Sequence, residues 1–250
     1  MALVTGASRG IGAAIANALA PSFDLLLTAR TTDALAGVSA SAQAKGARIA
    51  GTFGVAFDDE DETSRLAEIV ATLGVDVLVC NAGIAPSASL ARTDDAMWKS
   101  VLAVNLDTPF RLMRAVVPAM SKRGWGRVVH IASTAALKGY RYTSAYSASK
   151  GGLVALVRAV AAEVAGNGVT VNAICPGFVD TDIVANAVDN ISKRTGRDPA
   201  QARADLAGFS PQGRLVQPDE VAAMALFLVS DAAAAIHGQA LALDGGETTL

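Results

Sequence analysis

A tyrosine and a lysine stand four residues apart in Tyr146-Ser147-Ala148-Ser149-Lys150, and a serine, Ser133, lies thirteen residues before the tyrosine. On a helix, positions i and i+4 share one face. An ammonium beside a phenol favours the phenolate, so this spacing predicts a tyrosine whose pKa falls below its ordinary value of about 10. A phenol tuned in this way exchanges protons near neutral pH. The chain has three tyrosines, and neither Tyr140 nor Tyr142 has a lysine four residues on. Each residue alone has a plainer explanation: Ser133 as a strand-end turn residue, Lys150 as a solvated helix residue.

The second feature is Thr5-Gly6-Ala7-Ser8-Arg9-Gly10-Ile11-Gly12, directly after the apolar run Leu3-Val4 and before a helical pattern from Ile11 to Ala20. Glycines at a strand-to-helix turn let a pyrophosphate approach the backbone, and the helix N-terminus offers free N–H groups and a positive dipole end. The spacing is G-x3-G-x-G, and a bare tight turn is the competing explanation. A proton-transfer group together with a phosphate cradle points to a nicotinamide oxidoreductase. The second strand ends in Thr28-Ala29-Arg30, with no carboxylate at its tip for ribose hydroxyls. Arg30 and Arg9 together suit a 2′-phosphate, because a guanidinium fork matches phosphate oxygens. NADP(H) is therefore expected in preference to NAD(H), the alternative being two solvated arginines.

These groups need a scaffold. The chain has 250 residues, 52% of them hydrophobic, and a formal net charge of -2. That length buries a large core, and that charge leaves no basic footprint for nucleic acid. Strand-like and helix-like segments alternate. Strands are expected at Leu3-Val4, Leu25–Thr28, within Arg48–Phe57, and at Val75–Cys80, Arg127–Ala132, Val169–Ile174 and Gln239–Leu243. Helices are expected at 33–45, 63–73, 94–104, 106–120, 144–165 and 219–228, with Pro109 in a first turn and Pro118 near an end. Seven strands separated by helices predict an α/β Rossmann fold: one doubly wound parallel sheet in a single domain over 1–250. The stretch from Thr181 to Gly213 is mixed in character, and its length predicts a substrate lid.

Other chemistry is excluded or muted. Cys80 and Cys175 end apolar runs without CxxC spacing, and His130 and His237 lack ligand spacing, so no metal site is expected. No apolar stretch reaches membrane-spanning length, and a strand begins almost at Met1, so a cytoplasmic protein is expected.

The motifs TGASRGIG (5–12), NAG (81–83), Asn105 in VNL, Ser133, Tyr146-Ser-Ala-Ser-Lys150 and Pro176-Gly177 occur in the order found in one family. Over essentially its whole length the chain resembles the short-chain dehydrogenase/reductases. The resemblance implies that Tyr146 is the catalytic acid/base and that Lys150 lowers its pKa and holds the nicotinamide ribose. It implies that Ser133 polarises the substrate carbonyl, and that Asn105 kinks its helix and anchors a water chain to Lys150. Gly6, Ser8, Arg9, Gly10, Ile11 and Gly12 would cradle the pyrophosphate. Asp58 resembles the adenine-contacting aspartate, and Asn81, Ala82 and Gly83 would line the adenosine side. Val179 and Thr181, after Pro176 and Gly177, resemble the positions that hold carboxamide and phosphates. Leu137, Gly139 and Tyr140 would edge the substrate pocket.

Three departures stand out. Cys80 replaces an asparagine before NAG, so altered strand packing with intact chemistry is expected. Asp59 follows Asp58 where an apolar residue is usual. Gly166-Asn167-Gly168 replaces a stretch that often carries an arginine for carrier-protein docking. The C-terminal run Pro211-Gln212-Gly213-Arg214-Leu215 and Pro218-Asp219-Glu220-Val221 looks like 3-oxoacyl or 3-hydroxyacyl reductases and aromatic polyketide ketoreductases. A 3-oxoacyl thioester, carried on coenzyme A, is the first expectation. A small or cyclic ketone or alcohol is the second, and a non-catalytic cofactor sensor the third. Lys193, Arg194 and Arg197 could meet coenzyme A phosphates, although a solvated helix face is the more ordinary reading. The resemblance also implies a homotetramer, or a homodimer, built on 106–120 and 144–165.

Overall fold

Central strands of this chain are mostly apolar and buried at every position because both their faces are covered. In a computed structural model describing residues 1–249, β1 (Ala2–Val4), β2 (Leu25–Ala29), β4 (Val77–Cys80), β5 (Gly126–Ile131) and β6 (Val169–Pro176) are buried throughout. The partly exposed strands, β3 (Ile49–Gly54) and β7 (Ala240–Leu243), are the two edges. All seven pair in parallel in the order β3-β2-β1-β4-β5-β6-β7. The expected unit of 1–250 thus has one residue, at 250, outside the described residues.

Alternation along each strand feeds two cores. Val4 and Val79 face a layer formed by α1 (Gly10–Leu19), α2 (Ala36–Ala44) and α9 (Pro218–Val229). Leu3, Leu78 and Cys80 face the other layer, formed by α3 (Glu60–Thr72), α5 (Thr108–Arg123) and α6 (Ser144–Val164). Helices on both faces of a parallel sheet are the doubly wound arrangement expected from the alternation of elements. Cys80 and Cys175 are free and buried, as small hydrophobes should be. His237 bridges the Val171 N–H and the Ala161 carbonyl, a structural role.

Two local differences have clear causes. Asp59 is the N-cap of α3: its carboxylate accepts from the N–H groups of Asp61 (2.9 Å) and Glu62 (3.0 Å). This starts the helix at Glu60 rather than near residue 63 and explains the acidic residue there; such caps contribute about 1 kcal/mol. The stretch from Thr181 to Gly213 is largely helical: α7 (Asp182–Thr195) and α8 (Pro199–Ala207) close a small core of their own with Val184, Leu206 and Leu215. No helix among the described residues is long and apolar enough to cross a membrane.

Strand order reverses between β1 and β4, and ligands of such sheets bind at the carboxyl ends of strands around that point. The two loops leaving it are clasped together. The Thr5 hydroxyl accepts from the N–H groups of Asn81 (2.9 Å) and Ala82 (3.0 Å). The Asn81 amide donates back to the carbonyls of Thr5 and Gly6, each at 3.0 Å.

Candidate active site

Glycine is required where these loops meet. A Cβ on Gly12 would stand 2.2 Å from the Gly6 carbonyl oxygen and 2.5 Å from the Asn81 amide nitrogen. Gly10 adopts φ +55, and a Cβ there would reach 3.2 Å from the Thr181 methyl. Helix α1 begins at Gly10, with Arg9 as an extended N-cap whose side chain makes no cap bond. The first N–H groups of α1 are therefore free for an anion, and Thr181 on the segment after β6 borders the same loop. This is a chemical fit for a dinucleotide pyrophosphate.

The flanking charges are arranged differently from the sequence reading. Arg9 does not stand as a second free cation beside Arg30: its guanidinium pairs at 3.0 Å with Asp182, the first residue of α7. Arg30 is exposed directly after β2, with no ion-pair partner among the described residues. Asp58 is exposed beside the cap of α3. Asn81 spends its side chain on the glycine loop, as described above. Val179 is buried and pairs with Val216, and the Thr181 hydroxyl donates to the Val179 carbonyl at 3.3 Å.

On the other side of the switch point, the ends of β5 and α6 bring the remaining residues together. Ser133 follows β5 in an extended conformation and starts the short turn Thr134–Ala136, its hydroxyl accepting from the Ala135 N–H at 3.1 Å. Tyr146 lies in the first turn of α6. Its phenol is pushed up by burial, and a hydrogen-bonding contact with the Ser133 side chain pulls it the other way. Lys150, 4% exposed, lies one turn on; its Nζ is 5.8 Å from the Tyr146 ring centroid and donates to the Ile131 carbonyl at 2.7 Å. Burial brings this ammonium down to about 8. The expectation that Lys150 lowers the Tyr146 pKa is thus corrected for the chain alone: desolvation of both groups dominates, and the ammonium is engaged by a backbone carbonyl.

Asn105 sits in a π-helical turn, Ala103–Asp107, between α4 (Asp95–Leu102) and α5. The turn takes the place of the break expected between helices 94–104 and 106–120. The side chain is 1% exposed and fully used: Oδ1 accepts from the Ile84 N–H, while Nδ2 donates to the Ile84 carbonyl (both 2.9 Å) and to the Ser149 hydroxyl at 3.1 Å. Ser149 in turn donates to the Tyr146 carbonyl at 2.7 Å. A Cβ on Gly83 would lie 3.3 Å from Asn105 Oδ1 and 3.6 Å from Lys150 Nζ, so the NAG loop passes directly over both.

Of the expected pocket edge, Leu137 is 41% exposed and Gly139 is open. Tyr140 is half-buried, and its hydroxyl donates to Glu247 and shares a 2.7 Å hydrogen bond with Thr134. Two of the three basic residues at the end of α7 and just beyond it are paired locally, Lys193 with Asp189 (2.6 Å) and Arg197 with Asp205 (2.8 Å). That pairing supports the solvated-face reading over phosphate binding. Among the described residues no cluster of His, Cys, Asp or Glu could hold a metal ion. Sequence reasoning missed Ser149, Asp182, Phe178, Phe209 and Glu247. Only Ser149 carried a signal, three residues after Tyr146 on the same helix.

Comparison with known proteins agrees with this architecture. A family model described as enoyl-(acyl carrier protein) reductase matches residues 6–248. The chain is 37% identical to a D-beta-hydroxybutyrate dehydrogenase of Cupriavidus necator, covering 98% of this chain and 96% of that one. It is 38% identical to the 3-oxoacyl-[acyl-carrier-protein] reductase of Escherichia coli, again with 98% and 96% covered. A crystal structure of an actinorhodin polyketide ketoreductase variant with NADPH superimposes with a TM-score of 0.92 at 36% identity, covering 100% of this chain and 97% of that one. With a whole-length family match, close relatives and the same order of motifs around one switch point, the chain belongs to the short-chain dehydrogenase/reductase family.

Proposed function

We propose that this protein is an NADP(H)-dependent oxidoreductase that interconverts a ketone and a secondary alcohol, with a 3-oxoacyl or 3-hydroxyacyl thioester on coenzyme A as its substrate. The observation that carries the reading is the meeting of Ser133, Tyr146 and Lys150 at the carboxyl end of β5, opposite a glycine loop with free helix N–H groups. Similarity to proteins named for 3-oxoacyl and hydroxybutyrate chemistry supports the substrate class, and an NADPH-bound structural relative supports the cofactor.

In this reading Gly6, Ser8, Gly10, Ile11 and Gly12 hold the pyrophosphate, and Arg30 meets the adenosine phosphate. Asp58 and the NAG loop flank the adenine side, and Pro176, Gly177, Val179 and Thr181 take the nicotinamide end. When bound, the nicotinamide supplies the hydride to the carbonyl carbon, or accepts it in reverse. Tyr146 gives its proton to the carbonyl oxygen. Ser133 donates a second hydrogen bond to that oxygen, and such paired donors are worth several kcal/mol as charge develops. Lys150, anchored by its bond to Ile131, holds the ribose hydroxyls, and Asn105 keeps the π turn open toward it. Helices α7 and α8 form the lid over the substrate. A soluble homotetramer in the cytoplasm completes the proposal, and gel filtration tests the assembly.

The experiment is NADPH oxidation against a panel of 3-oxoacyl-CoA thioesters, free 3-oxo acids and cyclic ketones. Thioester turnover is expected to exceed that of the others. Preference for a cyclic ketone would replace the substrate, and no hydride transfer to any carbonyl would overturn the reading.

A further inference from the structure

Glu247 is 3% exposed, although carboxylates are almost never fully buried unless paired. It lies in the C-terminal tail, and its surroundings explain its burial. One carboxylate oxygen accepts from the Tyr140 hydroxyl and pairs with Lys138 Nζ at 3.1 Å. A Cβ on Gly177 would stand 3.0 Å from the other oxygen. The tail is shaped for this: the Asp244 carboxylate accepts from the N–H groups of Gly246 and Thr248, each at 2.9 Å, and from the Thr248 hydroxyl at 2.7 Å.

Two functional segments meet on that carboxylate, and a third meets the Tyr140 ring that it holds. Tyr140 and Lys138 belong to the segment that starts at Ser133, and Thr134, next to Ser133, shares the Tyr140 hydroxyl. Gly177 and Phe178 follow β6. Phe209 follows α8 on the lid. The Tyr140 ring meets Phe178 edge-on at 6.0 Å and Phe209 at 5.9 Å, Phe178 and Phe209 are 5.2 Å apart, and Lys138 stands 5.2 Å from the Tyr140 centroid. Aromatic pairs in these geometries attract beyond the area they bury, because the positive ring edge meets the negative ring face. Their arrangement requires the Tyr140 ring to be held upright, and the two hydrogen bonds on its hydroxyl do that.

We infer that Glu247 is a positioning residue: through Tyr140 it locks the Ser133 segment to the lid, and so sets the wall of the substrate pocket. The inference rests on the proposed reaction for its kinetic consequence, but not for its structural one. Tyr140→Phe keeps the ring and removes only the hydroxyl, so it tests the lock without a cavity. Glu247→Ala removes the acceptor, and Glu247→Gln keeps an acceptor of the same shape.

Two readouts decide it. In carbonyl reduction, Tyr140→Phe and Glu247→Ala should each raise KM for the carbonyl substrate at least tenfold, with NADPH affinity within about threefold of the parent. The double variant should be no worse than the worse single, because both changes break one contact, and Glu247→Gln should recover most of the loss. In limited trypsin digestion, which needs no turnover, cleavage after Lys193, Arg194 and Arg197 should speed up at least tenfold in Tyr140→Phe. If no carbonyl is reduced by the parent, digestion alone decides. Digestion unchanged in Tyr140→Phe, or KM effects of the two variants that simply multiply, would overturn the inference.

Discussion

Lys150 Nζ stands 2.7 Å from the carbonyl oxygen of Ile131, and this bond, across the sheet from helix α6 to the end of β5, fixes where the ammonium sits. A charged group is thereby held in a site where it is almost wholly removed from water. Its pKa comes down from 10.5 to about 8 because burial penalises the charged form.

That depression has a sign that can be measured. The unfolded chain keeps Lys150 protonated up to about 10.5 while the folded chain releases the proton near 8, so between those values the unfolded state binds more protons. Stability contributed by this site therefore rises with pH across that window and is lowest below pH 8. Relative to Lys150→Met, the unfolding free energy of the parent should increase by about 2 kcal/mol between pH 7.5 and 10, read by urea denaturation without cofactor. A pH-independent difference would mean that the ammonium is not desolvated.

The glycine loop allows a contrast between two similar substitutions. Gly12→Ala drives a methyl to 2.2 Å from a backbone oxygen, whereas Gly37, in α2, has nothing within 4 Å of the corresponding position. Gly12→Ala should cost about 2–3 kcal/mol by overpacking and weaken NADPH binding at least tenfold. Gly37→Ala should be neutral or stabilise by up to about 1 kcal/mol, since alanine favours the helix. Thermal shift with and without NADPH reads both.

In the proposed reading, cofactor choice rests on Arg30, because Arg9 is already paired with Asp182. Arg30→Asp should lower the ratio of kcat/KM for NADPH over NADH by about a hundredfold or more, a loss of one bidentate phosphate contact plus a new repulsion. Arg9→Ala should move the ratio far less. An unchanged ratio in Arg30→Asp would make that guanidinium a bystander.

Much of this was legible in the residues. The strands were visible because continuous apolar runs such as Val77–Cys80 have no solvent face to serve, and the glycine loop because only a tight strand-to-helix turn needs Gly6, Gly10 and Gly12 together. The i, i+4 spacing correctly placed Tyr146 and Lys150 on one face of α6. What it could not carry was the energetic balance there: desolvation depends on what packs over Lys150, and the Ile131 carbonyl that holds it is a backbone atom of a distant strand. Helices α7 and α8 were hidden because they bury few residues, Val184 in one and Ala202 and Leu206 in the other. The start of α8 did carry a signal, Asp198-Pro199, where Asp198 caps the Ala200 N–H at 2.8 Å. Glu247 was illegible, since a carboxylate reads as solvated until Lys138, Tyr140 and Gly177 are seen to close around it.

The central claim is that Tyr146 moves the proton at the carbonyl oxygen. The most direct measurement is single-turnover NADPH oxidation by Tyr146→Phe with the best carbonyl substrate, alongside NADPH binding by fluorescence. We predict a loss of about 10²–10⁴-fold or more in the chemical step, with NADPH affinity within about threefold of the parent. A Tyr146→Phe protein that reduces the carbonyl at the parental rate would contradict the account.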